Sequence, residues 1–303
     1  MKKILFFCLL IILIPLLIVS IFIKKEKEIE FKYSSDMLIR VKRSNGIFNI
    51  YFEDYIVGVL AGEMPTDFEL EALKAQAVAA RSYAMVYMAR NYDKDYDVVD
   101  TVSNQVYLSY DELKDKWKDN YISKINKLKT AVLETKGEYM EYKGEVVEAM
   151  FFSTSVGMTE NSEEIFSSKK DYLRSVTSYW DKNVSPVFSE DNSFLLSDFY
   201  KKLGLPYKNN IDYKVLSKTS TGRIKEIFIN GVIFSGSEVM SMLGIRSSYF
   251  SLVQNGDYIN VTTKGYGHGV GMSQYGAYGM AKEGYTYDKI LKHYYQGVEI
   301  KKL

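Results

Sequence analysis

Apolar and polar positions fall into three kinds of pattern along the chain. The first is an unbroken run: residues 4–23 carry no charge, and about 20 apolar residues at ~1.5 Å each suffice to cross a bilayer core. Lys2 and Lys3 precede the run and Lys24, Lys25 and Lys27 follow it, so counting basic residues does not orient it. Its very short N-terminal side suits a signal anchor that leaves the rest of the chain outside the cytoplasm. A cleaved signal peptide is the competing reading. The run ends Ser20-Ile21-Phe22-Ile23-Lys24, without the small residues spaced one apart that cleavage favours. Residues 1–23 are therefore read as a membrane anchor and 24–36 as a charged juxtamembrane spacer.

The second pattern is alternation. Leu38-Ile39-Arg40-Val41 and Ile47-Phe48-Asn49-Ile50-Tyr51 flank Asn45-Gly46, which predicts a hairpin over 37–52. Another is predicted over 138–152, turning at Lys143-Gly144, and a third over 213–234, with turns near Gly222 and at Asn230-Gly231. The third pattern is helical. Leu70, Leu73, Ala77, Ala80 and Ala84 recur at spacings of three and four, giving a slim apolar face to a helix over 66–90. Thr66 with Glu69 reads as its capping box, just after Pro65. A last helix is predicted over 286–296, stopped by Gly297. Hairpins and helices mix without a repeating strand-helix unit, so the fold class is α+β. The expected organisation is an N-terminal transmembrane helix followed by a mixed helix and antiparallel-hairpin ectodomain over 37–303.

Composition removes several classes of function. With 303 residues, 47% hydrophobic and 25% charged, the chain can bury an ordinary core. The net charge of +1 becomes about −1 once Lys2 and Lys3 are set aside, leaving 37 basic against 38 acidic residues; nucleic acid is not the expected ligand. The single cysteine, Cys8, lies inside the apolar run, and the body has only His268 and His293. That argues against a zinc site, and no metal or other cofactor is expected. The cluster Gly265-Tyr266-Gly267-His268-Gly269-Val270-Gly271 lacks the Gly-Lys-Ser/Thr ending of a phosphate loop and the strand-helix setting of a dinucleotide site. Neither histidine neighbours a nucleophile elbow. Carboxylates remain.

Glu63 precedes a proline, with Val59, Leu60 and Met64 beside it. Apolar surroundings raise a carboxyl pKa and suit a general acid; contact with a helix N-terminus would lower it instead. Two long segments resemble the stage II sporulation protein D family: Glu63-Met64-Pro65 followed by Glu71-Ala72-Leu73-Lys74-Ala75-Gln76-Ala77-Val78-Ala79-Ala80-Arg81-Ser82-Tyr83-Ala84, and Gly267-His268-Gly269-Val270-Gly271-Met272-Ser273-Gln274-Tyr275-Gly276-Ala277. Leu291-Lys292-His293-Tyr294-Tyr295-Gln296-Gly297 and, more loosely, Phe152-Ser153-Thr154-Ser155 with Thr159-Glu160-Asn161 extend the likeness over nearly the whole body. The resemblance implies a membrane-anchored lytic transglycosylase that cuts peptidoglycan glycan strands lacking stem peptides during engulfment, with Glu63 as catalytic acid and base. The alternative is a non-catalytic glycan-binding activator of a cell-wall amidase, as some relatives are. The implied partners are a cell-wall amidase and another membrane protein of the engulfment machinery, of the stage II sporulation P and M types. The implied location is the cell membrane, single-pass, with the catalytic part on the extracytoplasmic side.

Glycoside hydrolysis normally takes two carboxylates, whereas a lytic transglycosylase can use one. Asp54, Asp67, Glu69 and Glu71 are the near candidates for a second, and their simpler roles are helix capping and the helix dipole. Arg81 is either a buried ion-pair partner or a ligand for the lactyl carboxylate of muramic acid. Tyr172 and Arg174, spaced two apart, would project from one face of an extended segment; they form either a sugar platform with a cation or, among 26 tyrosines, an ordinary surface pair. His268, Ser273, Gln274 and Tyr275 follow glycines that permit close approach, and Ser153 and Thr154 form a polar patch; these are read as substrate-binding, against a tight structural turn with a satisfied histidine. Many relatives have histidine where Phe152 stands, so no metal role is carried over. His293 packs the terminal helix.

Overall fold

The structure is a computed structural model that describes residues 11–15, 26–31, 37–101 and 104–303. The expected anchor and spacer fall largely outside the described residues. Among the described residues, no helix is long and apolar enough to cross a membrane.

The first hairpin forms as its alternation predicts. Strands β1 (Leu38–Arg43) and β2 (Gly46–Tyr51) pair antiparallel with Arg43 opposite Gly46, so Ser44 and Asn45 are the loop. Helix α1 (Phe52–Glu63) follows at once, and alternation does not announce it. Eight of its 12 residues are buried, because Ile56-Val57-Gly58-Val59-Leu60-Ala61 is apolar on every side, the mark of an enclosed helix with no polar stripe to read. Met64 precedes Pro65 and is extended (φ −127°, ψ 143°). The proline ring disfavours a helical residue before it, so Glu63 becomes the last residue of α1.

Helix α2 (Leu70–Arg90) starts four residues later than expected. Residues 65–69 turn instead, with Phe68 N–H donating to Pro65 O (3.2 Å) and the Phe68 ring buried against Tyr278 (4.3 Å between centroids). Thr66 and Glu69 therefore form no capping box; Glu69 is the N-cap and makes no side-chain cap bond. Beyond α2, β3 (Val98–Val99) pairs parallel to β1. A true capping box, Ser109 with Glu112, opens α3 (Tyr110–Trp117), and α4 (Tyr121–Glu134) packs on α1 and α2.

Strands β4 (Glu138–Tyr142) and β5 (Glu145–Val146) form the second hairpin, turning at Lys143 and Gly144, both with positive φ. It is shorter than expected, since β6 (Phe151–Phe152) leaves it to pair elsewhere. Two short helices follow, α5 (Ser162–Ile165) and α6 (Asp181–Val184). Next come β7 (Ser189–Leu195), α7 (Leu196–Lys202), β8 (Tyr213–Lys218), β9 (Ile224–Ile229), β10 (Val232–Ser235), α8 (Gly236–Leu243), β11 (Phe250–Asn255) and β12 (Tyr258–Lys264). They form two three-stranded antiparallel sheets: β10-β9-β8, which realises the third predicted hairpin, and β11-β12-β7, which the predicted hairpins do not include. This stretch has its own core of Leu196, Phe199, Ile227, Val239 and Ile259 among others, separate from the larger core built on α1, α2, α4 and the terminal elements. The range 37–303 thus holds two cores. The chain then returns to the larger one through β13 (Met272–Ser273), parallel to β6, α9 (Gln274–Lys282), α10 (Tyr287–Tyr294) and β14 (Glu299–Lys302), which pairs with β4. The architecture is mixed α+β.

Candidate active site

Glu63 owes its surroundings to the face of α1 that carries Gly58 and Gly62. A Cβ on Gly58 would stand 2.3 Å from the Tyr107 ring and 2.6 Å from Leu108 O, and one on Gly62 would stand 2.6 Å from Val106 O. Only this narrow face lets residues 106–108 lie along the helix, with Leu108 N–H donating to Gly58 O (3.2 Å). Val106 N–H is thereby delivered to Glu63 Oε1 at 2.8 Å. Burial pushes the Glu63 carboxyl above its usual range; the Val106 N–H and the nearby Gln274 amide offset part of the rise. Its place at the C-terminal end of α1 also disfavours an anion. The alternative of a helix N-terminus lowering the pKa does not arise.

The carboxyl opens into a pocket of about 540 Å³, lined by Tyr83, Asn104, Phe152, Phe166, Tyr266 and Gln274 among others. Of the residues singled out in the sequence, Glu63, Ser153, His268 and Gln274 meet here. Glu63 is the one carboxylate among the described lining residues; the buried acids Asp181 and Glu160 lie outside the walls. Its Oε1 is taken by a backbone donor, so a proton on the neutral acid belongs on Oε2, the better-placed hydroxyl.

His268 is a pocket wall with both nitrogens occupied. Val270 N–H donates to Nδ1 (3.1 Å), which leaves the hydrogen on Nε2 to donate to Phe151 O (3.1 Å). Burial, then the charge of Arg223, push its pKa down to about 4, so it is neutral at pH 7. The glycines around it take in protein: a Cβ on Gly269 (φ +87°) would lie 2.9 Å from both Arg223 and Glu160. Close approach to a ligand is not what Gly269 provides.

Other candidates stand apart from the pocket. Ser273 is buried, caps α9 by accepting from Gly276 N–H (3.2 Å), and donates to Asp181. Asp181 also accepts from Ser155 N–H (2.8 Å) and Ser178 Oγ (2.6 Å). Gly276 fits only without a side chain, since its Cβ would meet Tyr294 Oη at 2.0 Å. Most of the Ser273-Gln274-Tyr275-Gly276 motif is thus internal joinery, with Gln274 turned into the pocket. Tyr275 packs edge-on against Phe68 (5.0 Å), and Thr154 is buried against Ser185 (2.8 Å).

Both arginines differ from their expected substrate contact. Arg81 is wholly buried, pairing through Nη2 with Glu53 Oε2 (2.8 Å) and through Nη1 with Glu138 O (2.7 Å); it ties α1 and α2 to β4. Arg174 pairs with Glu163, and Tyr172 Oη accepts from Glu148 N–H (3.2 Å) while its ring meets Tyr142. Neither Tyr172 nor Arg174 lines the pocket. His293 Nε2 meets Thr177 O (2.8 Å) and its ring packs on Trp180, a packing role. Among the described residues, no cluster of three or more His, Cys, Asp or Glu side chains is arranged to hold a metal ion.

Sequence reasoning missed Tyr83, Asn104, Val106, Phe166 and the wall role of Phe152. The only early signal was the four-residue spacing of Gly58 and Gly62, which marks a helix face open to backbone. Among the described residues, one half-buried carboxyl, held above its usual range, faces an aromatic pocket of ligand size. Residues 41–142 match the family described as SpoIID, stage II sporulation protein. The chain is 44% identical over 262 residues to stage II sporulation protein D of Bacillus subtilis (strain 168) and 42% identical to that of Bacillus amyloliquefaciens, covering 85% of this chain and 76% of each relative. It is 30% identical to the amidase enhancer of Bacillus subtilis over 80% of this chain and 40% of that one. The chain belongs to the stage II sporulation protein D family.

Proposed function

We propose that the protein is a membrane-anchored lytic transglycosylase acting on peptidoglycan glycan strands without stem peptides during sporulation engulfment. The observation that carries this reading is Glu63: a half-buried acid held above the usual carboxylate range, facing the pocket with no second carboxylate among the described lining residues. One carboxyl group suffices if it works twice. Glu63 Oε2–H gives its proton to the oxygen linking muramic acid C1 to the next sugar, and the C1–O bond breaks with its electron pair leaving on that oxygen. The carboxylate then takes the proton of the muramic acid C6 hydroxyl, whose oxygen bonds to C1. The product is a 1,6-anhydro sugar, Glu63 regains its proton, and no water is consumed. Phe166 and Tyr266, both exposed at the pocket, offer apolar faces to sugar rings.

On this reading a cell-wall amidase supplies the stripped strand, a second membrane protein holds the complex, and residues 4–23 anchor the chain in the membrane with the body outside the cytoplasm. The likeness to a protein named amidase enhancer favours one rival, a glycan binder that stimulates an amidase. Purified protein incubated with amidase-stripped glycan separates the two. The wild type is expected to release fragments with anhydro ends, read by mass spectrometry, and Glu63→Gln to release them at least about 10²-fold more slowly. Binding without new ends, or equal rates in the two proteins, would sink the transglycosylase reading.

A further inference from the structure

Gln274 is the first residue of α9, fixed there by the Ser273 cap one residue before it. The residue is 7% exposed and lines the pocket beside Glu63; among the described residues its Nε2 makes no hydrogen bond of ordinary geometry, yet it stands close enough to the Glu63 carboxyl to lower its pKa. An amide N–H₂ left unbonded at that depth costs free energy that folding alone does not explain. What stands next to it is a carboxyl group whose Oε1 is already taken by Val106 N–H. The neutral acid keeps a proton on the remaining oxygen, and a hydroxyl is a poor acceptor for a second donor. The carboxylate is a strong one.

We propose that Gln274 is a positioning residue whose amide N–H, already beside the Glu63 carboxyl, tightens into a full hydrogen bond once the Glu63 proton has left. The inference rests on Glu63 as the proton carrier of the proposed reaction and adds the group that steadies its second state. Gln274 then acts on the acid and not on a sugar hydroxyl. The other titratable groups facing Glu63 do not compete for this task. Tyr55 beneath it and Tyr83 across the pocket are pushed up by burial, and His268 is neutral. No cation is among the described residues that line the pocket, so the carboxylate depends on two N–H donors.

The test is titration of the Glu63 carboxyl in the full chain, followed by ¹³C NMR with Glu63→Gln identifying the signal. In Gln274→Met, which keeps length and burial without the donor, the midpoint is expected to rise by about one pH unit or more. Gln274→Glu guards against a folding failure in that variant: the two carboxyls would titrate in two steps, the upper one above the wild-type midpoint. On stripped glycan, the alkaline limb of kcat/KM moves up with the titration, while KM changes less than about twofold. An unmoved Glu63 midpoint in Gln274→Met overturns the proposal, as does a raised KM with an unshifted limb, which would make Gln274 a sugar contact. The titration needs no turnover, so a wild type that cuts nothing would defeat the transglycosylase reading and leave this result standing on its own.

Discussion

Two glutamates, the half-buried Glu63 in the pocket and the fully buried Glu160 at the joint between the two cores, begin from the same physics and end in different roles. Burial raises both carboxyls above their usual range. Glu160 is 0% exposed and 3.1 Å from the equally buried Arg223, which also donates to Ser247 Oγ (2.9 Å) and Gly267 O (3.0 Å). Its neighbours come from both cores, and Gly269 seals it over. Glu63 has two N–H donors near it, no cation, and an open pocket in front. A buried acid given a fixed counter-charge becomes a structural joint, because its protonation state is no longer free to change. One left without a cation at a cavity keeps its proton available.

The largest effect follows from breaking the joint. Arg223→Leu strands Glu160 without its cation, and the loss should be about 3–5 kcal/mol in urea or thermal unfolding. Adding Glu160→Gln should recover much of it, since replacing both partners of a buried pair is often near neutral. If Arg223→Leu alone unfolds at the wild-type midpoint, the pair is not what holds the cores together.

His268 borders both regions, lining the pocket while its ring feels Arg223. Its folded pKa of about 4 lies below the ordinary 6.5. Between those values the unfolded chain binds more protons than the folded one, so stability falls as pH drops through that window. The loss should be roughly 1–3 kcal/mol, below the full value of the shift because one edge of the ring borders the pocket. His268→Asn should flatten the stability profile between pH 6.5 and 4; an unchanged slope would show that the ring is not buried neutral.

Glu63 has the opposite sign. Its folded pKa is raised above the ordinary 4.5, so above that pH the folded state retains the proton longer and the ionised form weakens the fold. Glu63→Gln should therefore gain stability relative to wild type as pH rises past 4.5, by about 1.4 kcal/mol for each unit of the rise and then level off. A variant less stable than wild type at pH 7 would mean that the carboxylate is held better than its two donors suggest.

How much of this was legible in the sequence depended on how each element announces itself. Strands β1, β2, β8, β9 and β10 follow alternation and turn residues that act locally, and they stand where the pattern puts them. Helix α1 is apolar all round, so periodicity is silent about it. The start of α2 was misplaced because Thr66 and Glu69 have the right identities for a capping box, but burial of Phe68 against Tyr278 commits residues 65–69 to a turn. In the pocket, Glu63, Ser153, His268 and Gln274 were reachable through motif resemblance. Tyr83, Asn104, Val106 and Phe166 come from elements far apart in sequence and meet only through packing. Arg81 shows the reverse error: its chemistry suits a ligand carboxylate, and Glu53, 28 residues away, supplies one from inside.

The smallest effect sharpens the boundary of the pocket. Arg174 pairs with Glu163 and donates to Ser162 Oγ (3.0 Å), and both partners belong to α5, the helical turn just before the pocket residue Phe166. Its side chain is 25% exposed and Glu163's is 37%, so the pair is screened by water and contributes little to stability. Arg174→Ala is expected to leave the unfolding midpoint close to that of the wild type. Its reach into the site is indirect: a looser α5 would let the Phe166 ring shift against a sugar face, raising KM less than about threefold with kcat unchanged. Because the guanidinium lies outside the pocket walls, the ratio of rates on stripped and intact glycan should stay as in the wild type. A collapse of that ratio in Arg174→Ala would place the arginine on the substrate after all, and with it the edge of the pocket beyond Phe166.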